Sequence, residues 1–186
     1  MGRHPDSKSR TINKPPDKTL SGIFLCYNDG MTEKTNVMRA LDRAHIEYKT
    51  YFYDPEKYQT GIEIANALNQ NPAAVFKTLV TTNKSNKLFV FMVPVDAELN
   101  LKSAAICVGE KSLSMLPQRE LLGKVGYVHG GCSPISMKKL FTTVLDASAT
   151  NFKTIIFSAG IRGAQVEIAP TDLGKIIPIK LGNLCD

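Results

Sequence analysis

The sequence predicts an α+β domain: a mostly antiparallel mixed β-sheet with short flanking helices. The first observation behind this is that short β-prone runs are joined by polar or glycine turns. Asn83-Lys84-Ser85-Asn86-Lys87 leads from residues 75–80 into residues 88–95, and Gly160-Ile161-Arg162-Gly163 leads from 154–158 into 164–168. The second is that short helical patterns fall between these runs without a repeating strand-helix-strand rhythm. The third is length: 186 residues make one domain that can bury a core without disulfide staples.

Residues 1–30 hold Pro5, Pro15, Pro16 and several Ser and Lys around one short apolar island, so they read as a disordered tail or leader ahead of a domain at 31–186. There is no long apolar core with a small-residue cleavage site, which argues against a secretory signal. From Thr35, Val37, Leu41 and Ala44 recur at i, i+4, i+7 and predict a helix. Residues 48–53 read as a strand ending at Asp54-Pro55. Helical spacing returns over 61–68 through Ile62, Ala65 and Leu68. Asn71 caps a turn that Pro72 begins. The hairpin of 75–80 and 88–95 follows. Asn100 then caps a helix through Val108 with Gly109 past its end, and Pro117 opens another that Gly123 stops. Residues 143–146, 154–158 and 164–168 read as strands, and Pro170 opens a last short helix.

Net charge is +6, of which residues 1–30 supply +2; this permits an anionic partner such as RNA without requiring one. Cys26, Cys107, Cys132 and Cys185 show no Cys-x-x-Cys spacing, which predicts neither a zinc site nor a disulfide framework and suits a reducing cytoplasm. The longest apolar run, 88–95, is too short to span a bilayer, so the expectation is a soluble cytoplasmic protein without membrane contact.

Two stretches carry candidate chemistry. In Tyr127-Val128-His129-Gly130-Gly131-Cys132-Ser133-Pro134, adjacent glycines admit positive φ or close backbone approach, so the loop is either a cradle for a carbonyl or phosphate oxygen or a tight connection. Lys77 lies in the strand Val75-Phe76-Lys77-Thr78-Leu79-Val80, where it either serves a ligand or sends its ammonium to solvent along an apolar stem. Cys132 with His129 suggests a cysteine hydrolase, but no third group orients the pair, and a zinc site would need two further ligands. The Gly160-Ile161-Arg162-Gly163 turn imitates the loop of an RNA-binding KH module, yet it joins two predicted strands instead of two helices.

The Phe-Lys-Thr-Leu strand followed by the Gly-Gly-x-Ser-Pro loop resembles the YbaK/EbsC family of aminoacyl-tRNA deacylases, within the prolyl-tRNA synthetase editing-domain superfamily. Val93-Pro94-Val95-Asp96 leading to Leu99-Asn100-Leu101-Lys102, Val108-Gly109-Glu110-Lys111 and residues 166–173 agree, so the resemblance covers 32 to about 180. It implies a barrel-like YbaK-type fold, with Lys77 and Gly130 catalytic and Tyr53, Thr78, Gly131, Ser133, Ser158 and Arg162 binding substrate. It implies no cofactor and no metal. Pleat alternation turns Thr78 to the face opposite Lys77, so Thr78 is expected to contribute mainly backbone. Departures from the family pattern stand at Thr60, Ala159 and Ile161.

The activity implied is trans-editing of mischarged tRNA at its acceptor end, foremost Cys-tRNA(Pro), with the substrate's own thiol attacking its carbonyl and prolyl-tRNA synthetase as a partner. Ala-tRNA(Pro) deacylation and a non-catalytic tRNA- or synthetase-binding module are the alternatives. The sequence does not fix the oligomeric state.

Overall fold

A computed structural model describes residues 33–185; the predicted tail at 1–30 lies outside the described residues. The order is α1 Asn36–Arg43, β1 Lys49–Phe52, α2 Gly61–Ala67, a 3-10 turn at Pro72–Ala74, β2 Phe76–Thr82, β3 Leu88–Pro94, α3 Leu101–Val108, β4 Ser114–Met115, α4 Gln118–Val125 and β5 Thr142–Asp146. A second 3-10 turn at Ala147–Asn151, β6 Ile155–Ser158, β7 Ala164–Ile168, α5 Pro170–Ile176 and β8 Ile179–Gly182 complete it.

The α+β expectation holds, but the strands do not close into a barrel. They form two sheets, ordered β1-β7-β6 and β4-β2-β3-β5-β8, linked by one parallel bridge between Val75 and Ile156. Four strand pairings are antiparallel, while β3-β5 and β5-β8 are parallel. The predicted hairpin is present in full register, Phe76 opposite Pro94 through Thr82 opposite Leu88. Its turn is set by Asn83, whose side-chain oxygen accepts from the Ser85 and Lys87 amides.

All seven residues of β3 are buried. Because successive side chains point to opposite faces, Val90 and Met92 enter a large core with Phe157, Val166, Leu41 and Leu173, while Phe89, Phe91 and Val93 pack under α3 against Ala104 and Ala105. A smaller cluster of Ala65, Val75, Val95 and Ile156 seats α2.

Local capping explains most helix boundaries. Asn100 accepts from the Lys102 and Ser103 amides and Asn71 from Ala73, as their positions predict, and Thr35 accepts from the Met38 amide. Gly109 ends α3 at φ 73°. Three details differ from expectation. Helix α4 runs through Gly123 and stops at Gly126, which takes the left-handed conformation at φ 91°. In α1, Met38 replaces Ala44 on the buried face, because Ala44 is the exposed C-cap. In α2, Ile64 and Ala65 face the core and Ile62 is exposed: Gly61 lies so close to the chain just past β3 that a methyl there would sit 2.5 Å from the Val95 side chain, and this approach fixes the rotation of the helix. The short edge strands β4 and β8 were not predicted.

Candidate active site

The glycine loop is held at both ends. After Gly126, Tyr127 returns to the core and its hydroxyl donates to the Ile135 carbonyl at 2.6 Å, clasping the intervening residues. Burial first, then the neighbouring Cys132, pushes the phenol up to about 12, so it remains a donor at any working pH. Within the loop the Gly131 amide donates to the Val128 carbonyl, and Gly130 takes φ 80°, a conformation that favours glycine. Gly131 serves closeness instead: a methyl on it would lie 3.1 Å from the Arg162 amide nitrogen and the Ile161 carbonyl carbon. The loop is thereby pressed onto the turn between β6 and β7.

That turn carries Arg162. Its guanidinium donates to the Pro55 carbonyl at 3.0 Å, approaches Glu56 at 3.8 Å, and its methylene stem passes beside Gly130. The Tyr53 amide donates to the Gly163 carbonyl at 3.0 Å. Tyr53, Gly130, Gly131 and Arg162, distant in sequence, are thus gathered in one place. Ser158 accepts from the Gly160 amide at 3.2 Å, so its hydroxyl shapes the turn. The turn joins two antiparallel strands, so its likeness to a KH loop is one of sequence only.

Lys77 arrives from the other sheet. The Val75–Ile156 bridge runs parallel, and two residues on from each partner stand Lys77 and Ser158. Lys77 faces the α3 side of the sheet, opposite Val93, and its ammonium lies 3.1 Å from Glu98, whose side chain is 94% exposed against 27% for Lys77. Its partner is therefore Glu98 and not a residue of the glycine loop. Thr78 points to the other face, as pleat alternation predicts. Its hydroxyl and that of fully buried Ser133 have no hydrogen-bond partner among the described residues, and each is an available donor and acceptor.

Burial pushes the Cys132 thiol up to about 12, and the side chain packs against the main core. His129 is exposed. A thiol so protonated and a histidine in solvent do not form a nucleophile-base pair. No group of three or more His, Cys, Asp or Glu residues is placed to hold a metal ion among the described residues. Glu98, the Pro55 carbonyl and Tyr127 were not foreseen; only the hairpin register, which puts the end of β3 beside Lys77, hints at the first.

Residues 55–176 match the family model of the aminoacyl-tRNA editing domain, well over half of the chain. The chain belongs to this family. Within it the YbaK/EbsC line is identified by a protein of Enterococcus faecalis named "Putative Cys-tRNA(Pro)/Cys-tRNA(Cys) deacylase EbsC", 40% identical over 139 residues, 74% of this chain and 85% of that one. Two solved structures share the editing-domain fold. One, described as "a putative trans-editing enzyme for prolyl tRNA synthetase", has 21% identity, a TM-score of 0.71 and covers 81% of this chain and 95% of its own. The other, a hypothetical protein, has 19% identity, a TM-score of 0.74 and covers 81% and 99%. The matched editing-domain span contains every candidate site residue except Tyr53. No helix among the described residues is long and apolar enough to cross a membrane.

Proposed function

We propose that this editing-domain protein is a cytoplasmic trans-editing deacylase that releases cysteine from mischarged tRNA, foremost Cys-tRNA(Pro), and that the substrate's own thiol is the attacking group. The observation that carries the reading is the placement of Cys132, whose side chain packs against the main core while His129 lies exposed. Burial pushes this thiol up to about 12, so it stays protonated at neutral pH and the site offers no activated protein thiol. A cysteinyl ester brings a thiol of ordinary pKa near 8.5, a few per cent ionised and already tethered to its carbonyl. The name of the 40% identical relative supports cysteine as well: it joins two tRNAs whose common element is the cysteinyl group.

In this reading the substrate sulfur attacks the ester carbonyl carbon. The bond from that carbon to the terminal ribose oxygen breaks, the oxygen takes up the proton given up by the thiol, and a cysteine thiolactone leaves for water to open. The protein positions the ester and stabilises its charge. Lys77 would offset the negative charge at the carbonyl oxygen or hold a terminal phosphate, and backbone groups of Gly130 and Gly131 would orient the aminoacyl group. Thr78 through its backbone, with Ser133, Ser158, Tyr53 and Arg162, would complete the pocket. Prolyl-tRNA synthetase as the partner that presents tRNA(Pro) belongs to the same proposal.

Deacylation of Cys-, Ser-, Ala- and Pro-tRNA tests it. Cys-tRNA should be cleaved faster than Ser-tRNA by more than the roughly 10- to 200-fold that small pocket differences give, with thiolactone preceding free cysteine by mass spectrometry and Cys132→Ala still active. Equal rates on the cysteinyl and seryl esters would replace the mechanism with a protein-centred one, and preference for Ala-tRNA would move the substrate to alanine.

A further inference from the structure

A second feature lies downstream of the glycine loop. The amino ends of β3 and β5 and the carboxyl end of α4 enclose a cleft of about 430 Å³ lined by Lys87, Lys124 and Lys139, with no acidic side chain in its lining. Lys124 shares its charge with Glu120 at 3.0 Å, and neighbouring Lys138 is committed to the Gly123 carbonyl at 2.8 Å, where it caps the end of α4. Lys87 and Lys139 are different. Each lies over a ring, Phe89 at 5.1 Å and Phe141 at 5.4 Å, and neither has an acidic partner among the described residues. Cation-π contact steadies an ammonium without neutralising it, so both keep donors for an anion. Leu140, 72% exposed, stands beside them at the cleft wall.

We propose that this cleft is a second RNA contact, which grips backbone phosphates of the tRNA away from its aminoacylated end. The proposal rests on the tRNA-editing reading above. Position favours it: the same chain segment that forms the glycine loop leaves α4 at the cleft, and the six residue steps from Lys124 to Gly130 reach at most about 22 Å. Over such a length a duplex displays on the order of ten phosphates, so an acceptor end at the loop brings backbone charge to the lysines. Two uncompensated ammonium groups in a concavity suit a repeated monoanion better than one compact ligand.

The test is the double variant K87A/K139A, which alters neither active-site nor core residues. Uncharged tRNA binding is measured by filter retention across a potassium chloride series, alongside turnover of Cys-tRNA and of a short cysteinyl-adenosine ester. The expected result is an affinity about tenfold lower at low salt and a log-log salt slope reduced by about 1 to 2. KM for Cys-tRNA should rise with kcat unchanged, the short ester should be cleaved as before, and K87R/K139R should restore binding. Unchanged affinity and slope in a K87A/K139A protein that melts like the parent would overturn the proposal, as would a cleft that takes an acidic protein and leaves tRNA binding untouched. The binding arm needs no catalysis, so a parent protein that binds tRNA but cleaves no charged tRNA would defeat the proposed activity and still leave this inference readable.

Discussion

Lys77 meets a carboxylate that is almost wholly in solvent, so water and salt screen the pair and it adds little to stability. Function, not folding, should therefore report its loss. Lys77→Ala is expected to lower deacylation about 10²-fold or more with a melting temperature close to the parent's, and near-normal turnover would return the residue to a surface role. Glu98→Gln should keep both stability and turnover, because it leaves the ammonium free for substrate. Cys132 gives a pH signature. Its folded value, about 12, lies above the unfolded value near 8.5, so the unfolded chain loses the proton first and stability falls as pH rises through that window. Urea midpoints of the parent should drop more steeply between pH 8 and 10 than those of Cys132→Ala, and parallel curves would show that the thiol is not so held. At this scale glycines and charged residues were legible where the backbone itself is the signal. Gly130 needs positive φ and Gly131 needs closeness, and neither depends on guessing a remote partner. Glu98 and Tyr127 were not legible, since one is chosen by hairpin register and the other by a clasp that only the folded loop creates.

Two glycines eight residues apart make contrasting predictions for their elements. Gly123 sits inside α4 with nothing within 4 Å of a would-be methyl, so Gly123→Ala should stabilise the protein by about 0.5–1 kcal/mol through helix propensity and a less flexible unfolded chain. Gly131 meets backbone atoms of Ile161 and Arg162, which do not rotate away. Gly131→Ala should cost about 1–3 kcal/mol and separate the loop from the Arg162 turn, with turnover falling further than the melting temperature alone explains. Thermal melts of the two variants check both signs. Caps such as Asn71 and Asn100 could be read from sequence because they act over three residues. The end of α4 could not, because Gly123 and Gly126 carry the same local signal and the tertiary fold decides which becomes left-handed. Strands β4 and β8 escaped for a related reason. They are two and four residues long, and their partners β2 and β5 lie more than thirty residues away in sequence.

For the molecule as a whole, the described core is supplied by residues 37 onward, which is the basis for expecting a protein that begins at Met31 to keep its fold and its deacylation. A large fall in melting temperature or turnover on that truncation would assign residues 1–30 a structural part. The α+β class was readable because strand and helix periodicities are local. The division into two sheets was not, because pairings between strands far apart in sequence, such as β1 with β7 and β3 with β5, decide it. The doubly buried β3 also sets a schedule for synthesis. Its hairpin partner β2 has already emerged when β3 is made, but its other partner, β5, begins about fifty residues later. At roughly 5–20 residues per second the ribosome leaves that edge open for about 3–10 s. Throughout this interval the nascent chain presents the open edge of an apolar strand, Leu-Phe-Val-Phe-Met-Val, to every other chain in the cell and to its chaperones.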